Sequence, residues 1–121
     1  MPKVFGLHEI EVPPGVTPEE HEQFLTKVLA SAPVLPGWKT YLLKGERGER
    51  AGKLLLLHEI ETVEARDRYF PGPEEVSEEW GQFVEQNPEA AAWERVHPEP
   101  HNRTDYIVVV DLQPQSRSTE S

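Results

Sequence analysis

Two histidines sit at the same place in two identical pentapeptides, Leu7-His8-Glu9-Ile10-Glu11 and Leu57-His58-Glu59-Ile60-Glu61. An imidazole changes charge near neutral pH, so two of them within reach of one molecule can serve as an acid/base pair or as two legs of a metal site. His21 adds a third, and three imidazoles with an open position suit zinc or iron. Glu9 and Glu59 form a second constellation. Two carboxylates held together raise at least one pKa when desolvated and can do acid/base work. Plainer readings stand beside these. His8 and His58 can be buried, hydrogen-bonded core residues, and His21 lies in a helical first turn between Glu20 and Glu22. The glutamates can be a hydrated acidic lining or partners of Lys39, Lys53 or Arg50. His97 and His101 have the spacing of a helical metal pair, but Pro98 and Pro100 break the helix that spacing needs.

The repeat matters more once the elements around it are read. Val4 to Val12 alternates as a strand, with Val4, His8, Ile10 and Val12 on one side and Phe5, Leu7, Glu9 and Glu11 on the other. Pro13-Pro14-Gly15 ends it. Thr17-Pro18-Glu19-Glu20 is a helix start with a capping box. His21, Phe24, Leu25, Val28 and Leu29 then share one stripe, and Pro33 stops the helix by Ala32. A second strand covers Trp38 to Lys44, a glycine-rich hairpin loop residues 45–52, and a third strand Lys53 to Glu61. Thr62 caps a second helix to about Tyr69, interrupted at Pro71-Gly72-Pro73. Helical patterning resumes through Val76, Trp80, Phe83 and Val84, and a short helix follows Asn87-Pro88. Thr104 to Leu112 is the last strand.

This β-α-β-β-α-β order predicts an α+β, ferredoxin-like domain over residues 1–112: a four-stranded antiparallel sheet with helices on one face. Residues 113–121 form a polar, disordered tail. The first and third strands are expected side by side at the centre, running parallel, which would stand His8 and His58 about 5 Å apart under the helices. The other sheet face carries Phe5, Leu7, Leu55 and Leu57. Leaving these wet forfeits roughly 1.5–3 kcal/mol each, so a homodimer packed sheet to sheet is expected.

Composition narrows the functions. The 121 residues carry 12 Lys and Arg against 22 Asp and Glu, a net charge of -10, which disfavours nucleic acid and anionic membrane surfaces as partners. Without cysteine there are no disulfides, thiolate nucleophiles or cysteine-ligated metals. No apolar run is long enough for a signal peptide or a membrane span, so a cytoplasmic location is expected. P-loop, nucleotide-binding and Gly-x-Ser-x-Gly motifs are absent.

Residues 7–15, Leu-His-Glu-Ile-Glu-Val-Pro-Pro-Gly, and 58–65, His-Glu-Ile-Glu-Thr-Val-Glu-Ala, resemble the first strand and the third-strand-to-helix step of the dimeric α/β-barrel superfamily. That superfamily includes antibiotic-biosynthesis monooxygenase-like proteins and haem-degrading monooxygenases. The resemblance implies a pocket between helices and sheet in each protomer. It places His8 at the polar first-strand position of the haem-degrading branch and Tyr69 where that branch has a helix-two tryptophan. The stretch from Trp80 to Trp93 holds no histidine to match its haem ligand.

The resulting expectation is a small apolar or aromatic ligand walled by Phe24, Val28, Trp80 and Phe83. His8, His58 and Tyr69 would do the chemistry, a cofactor-independent oxygenation or an isomerisation. The alternatives are a metal- or haem-binding protein using His8, His58 and His21, and a non-catalytic dimeric scaffold or stress-associated protein.

Overall fold

The computed structural model describes residues 2–72, 75–93 and 103–114. Four strands, β1 (Val4–Ile10), β2 (Trp38–Lys44), β3 (Leu54–Ile60) and β4 (Arg103–Ile107), form one sheet in the order β2-β3-β1-β4. It is accompanied by the helices α1 (Pro18–Ala30), α2 (Val63–Asp67) and α3 (Glu78–Gln86) and a 3-10 turn at Pro88–Ala91, and residues 92–93, the last described before the gap, are also helical. The architecture is α+β and ferredoxin-like.

Local chemistry fixes the elements. At the start of α1 the Thr17 hydroxyl accepts from the Glu20 amide at 3.1 Å, and the Glu20 carboxylate accepts from the Thr17 amide at 2.9 Å. This reciprocal cap satisfies two amides that the helix cannot. Thr62 caps α2 with its hydroxyl alone, which accepts from the Ala65 amide at 3.0 Å. The β2–β3 hairpin closes on Gly45, whose amide donates to the Lys53 carbonyl at 2.8 Å. A Cβ at Gly45 would stand 1.9 Å from the Arg50 carbonyl oxygen, so only glycine fits.

Every neighbouring strand pair is antiparallel. This corrects the expectation that β1 and β3 run parallel. The α1 crossover returns the chain in β2 along the direction of β1, and the hairpin then reverses it, so β3 must oppose β1.

The helices bury one sheet face in two clusters. Under α1, Leu25 and Val28 meet Ile10, Leu54 and Leu56. At the other end Val4, Leu35, Trp38, Ile60 and Tyr69 pack together, with Phe70, Trp80 and Phe83 against them. The opposite face carries Phe5, Leu7, Leu55 and Leu57, half-buried, beside the exposed Tyr41, Leu43 and Tyr106.

β1 ends at Ile10 rather than Val12 and β3 spans Leu54–Ile60 rather than Lys53 to Glu61, and two later elements are also shorter than expected. The helix from Thr62 ends at Asp67, and α3 starts anew where Ser77 caps the Trp80 amide. β4 stops at Ile107 rather than Leu112 because its partner runs out. Ile107 faces Val4 and the Val108 amide reaches the Lys3 carbonyl, and the next position on β1 is Pro2, which has no amide to offer. His97, His101 and most of the expected tail lie outside the described residues.

Candidate functional site

Between the two apolar clusters a polar band crosses the helix-covered face. The strand registers place Thr40, His58, Gly6 and Asp105 in one row across β2, β3, β1 and β4. The next row holds Leu42, Leu56, His8 and Arg103. Alternation along each strand points all of these side chains toward the helices.

His58 lies at the centre of the band and is 3% exposed. Its Nδ1 is 2.8 Å from the Thr40 hydroxyl oxygen, and the ring tautomer decides which of the two donates. Trp38 and Trp93 meet the imidazole edge-on, with ring centroids at 5.5 and 5.9 Å. Both indoles are anchored: Trp93 donates to the Pro33 carbonyl at 2.7 Å and Trp38 to the Ala65 carbonyl at 3.4 Å.

Gly6, opposite His58, leaves a gap that β4 fills. A Cβ at Gly6 would lie 2.9 Å from both Arg103 Nε and Asp105 Oδ1. Arg103 donates to Asp105 at 2.7 Å, and Arg66 of α2 donates to its second oxygen at 3.3 Å. The Arg103 guanidinium carbon stands 5.5 Å from the Trp38 ring, a cation–π contact.

A cleft of about 460 Å³ opens between α1 and the β2 edge and reaches one end of this band. Thr26, Leu29, Thr40, Leu42, Leu54 and Trp93 are among its walls. An ion pair between Lys44 and Glu22, 3.0 Å long, stands at its mouth.

The expected residues distribute unevenly over this geometry. His8 and His58 share the helix-covered face and are both buried, but His8 faces Leu56 and His58 faces Gly6. They are diagonal neighbours, roughly 7–8 Å apart, rather than the 5 Å pair expected from parallel strands. His21 turns inward from α1 and stacks on Phe24 at 6.1 Å. Burial lowers its pKa from the usual 6.5. Among the described residues no three His, Asp or Glu side chains gather closely enough to hold a metal ion, so the three-imidazole constellation is not formed there.

Tyr69, Trp80 and Phe83 pack on one another, Tyr69 against Phe83 at 6.3 Å and Trp80 against Phe83 at 6.0 Å. Val28 is buried in the α1 cluster and Phe24 is exposed. None of these five lines the cleft.

The carboxylate pair is also corrected. Glu9 faces Leu55 and Glu59 faces Phe5, at opposite ends of the strand pair. Arg50 binds Glu9 at 2.9 Å, and Lys3 binds Glu59 at 3.0 Å. The Lys3 hydrogen bond holds the Glu59 carboxyl below its ordinary pKa.

Thr40, Arg103 and Asp105 were not legible as site residues. Gly6 was the one available signal, since a glycine inside an apolar strand marks a close approach by something else.

No family model and no curated protein matches the chain. Among solved structures it is similar to the haem-degrading protein MhuD of Mycobacterium tuberculosis. The haem-free, cleaved form is 18% identical over 93% of this chain and 98% of that one, with a TM-score of 0.45. The form with two haems bound in its active site is 20% identical over 91% and 99%, with the same TM-score.

Proposed function

We propose that this chain is a small-molecule-binding homodimer that holds a small, largely apolar ligand in the cleft between α1 and the sheet. The observation that carries this reading is the meeting of cleft and polar band at Thr40, which lines the cleft and whose hydroxyl is bonded to the buried His58 ring. An apolar enclosure with one convergent polar group is the usual form of a small-molecule site.

The chemistry that fits these residues is proton transfer within an isomerisation, with His58 as the acid/base group acting through Thr40. It uses only groups that the band supplies. Cofactor-independent oxygenation, expected from the family resemblance, would use the same pocket. Among the described residues lining the cleft there is no histidine to ligate haem.

The dimer part of the reading rests on the helix-free sheet face. Phe5, Leu7, Leu55 and Leu57, with Tyr41, Leu43 and Tyr106 around them, make an apolar surface of the kind that marks an interface.

A thermal-shift screen of small aromatic and alicyclic compounds tests the ligand site. Wild-type protein is compared with Ala30→Trp, which fills the cleft from an exposed position on α1. Ligands at 100 times their Kd should stabilise the wild type by about 2.7 kcal/mol and leave the variant unchanged. Equal stabilisation of both proteins, or none of either, contradicts the reading. The second result would favour a non-catalytic scaffold.

A further inference from the structure

We infer that Thr40 is the polar contact of the cleft, and that the cleft takes a compact hydrocarbon skeleton bearing one hydroxyl or one carbonyl oxygen. This rests on the cleft being the ligand site. The lining includes four polar or charged side chains with fixed geometry to consider: Glu22, Thr26, Thr40 and Lys44. Glu22 and Lys44 bind each other at 3.0 Å with both side chains open to solvent. The Thr26 hydroxyl donates back to the Glu22 carbonyl at 2.8 Å, within its own helix. Thr40 differs, because its hydroxyl bonds the buried His58 at 2.8 Å, a residue outside the cleft lining.

A threonine hydroxyl offers one donor and two acceptor sites, and the bond to the imidazole uses one of these. If Nδ1 is bare, Thr40 donates its hydrogen to the ring and keeps lone pairs that accept from a ligand hydroxyl. If Nδ1 carries the proton, the ring donates to Thr40 and the threonine hydrogen turns to a ligand carbonyl. One residue therefore complements a ketone and an alcohol at the same spot, with the tautomer of His58 setting which. The keto and enol forms of a single molecule differ in this same respect. Leu29, Leu42, Leu54 and Trp93 enclose the remainder of the ligand in apolar surface, which selects against further polar groups.

Three ligands of one skeleton test this: indane, 1-indanone and 1-indanol, with affinities measured by tryptophan fluorescence and calorimetry. Both oxygenated ligands should bind wild-type protein about tenfold tighter than indane, the scale of one hydrogen bond. Thr40→Val should remove that advantage and leave indane affinity unchanged, and Thr40→Ser should restore it. In ¹⁵N-histidine spectra the His58 Nδ1 signal should move toward the protonated form with indanone and toward the bare form with indanol. Equal binding of all three to the wild type, or an oxygen advantage that survives Thr40→Val, overturns the role of Thr40 while leaving the cleft reading intact. Binding of none overturns both.

Discussion

Gly6 stands directly opposite His58 in the central strand pair, and the space left by its missing side chain is taken by Arg103 and Asp105. The two central strands therefore carry unlike residues at matched positions, an imidazole on β3 and no side chain on β1. That asymmetry lets an arginine from the sheet edge reach Trp38 and shapes the band that ends at the cleft.

Enlarging Gly6 tests this packing. Gly6→Ala should displace the Arg103–Asp105 pair, whose side chains are 23% and 25% exposed. A partly exposed pair contributes about 0–1 kcal/mol, and alanine in a strand interior returns roughly 0.5–1 kcal/mol over glycine. The net change in urea unfolding should stay within about 1 kcal/mol, while Trp38 emission shifts as the guanidinium leaves. Gly6→Leu should cost about 1–3 kcal/mol through overpacking. An unchanged emission in both variants would show that Arg103 does not sit over Trp38.

Acid should expose the cost of burying His21. Burial disfavours the charged ring in the folded state, whereas the unfolded chain protonates it near the ordinary value of 6.5. The unfolded state thus binds more protons, and stability from this group is present above pH 6.5 and lost as the pH falls through that value toward the folded pKa. Urea titrations at pH 7.5 and 5.5 should show a smaller loss for His21→Gln than for the wild type. An identical pH dependence would place the loss in other groups.

Leu7 and Leu57 face each other on the helix-free side of the sheet, at the centre of the proposed dimer seam. Leu57→Glu should bury an unpaired charge in that seam and convert the dimer to monomers in sedimentation equilibrium, with little change to the helix-covered core. A wild-type protein that sediments as a monomer would remove the dimer from the account.

Much of the fold was legible because its signals are local. The Thr17–Glu20 capping box, the glycine-rich hairpin and period-two alternation each act over a few residues, and β2 falls where alternation places it, Trp38–Lys44. The site was less legible because it depends on register. The repeated pentapeptide suggested matched histidines, but antiparallel pairing runs the second copy backwards, so His58 meets Thr40 and Gly6 instead of His8. Nothing in the spacing of Thr40 or Arg103 announces a role. Each becomes visible only when strands from distant parts of the chain lie side by side.

The most direct measurement is a crystal structure of the protein with 1-indanone bound. The ligand should occupy the cleft between α1 and β2, with its carbonyl oxygen about 3 Å from the Thr40 hydroxyl and the Thr40–His58 hydrogen bond intact. A ligand seated elsewhere, or a Thr40 hydroxyl turned away from both ring and ligand, would contradict the account.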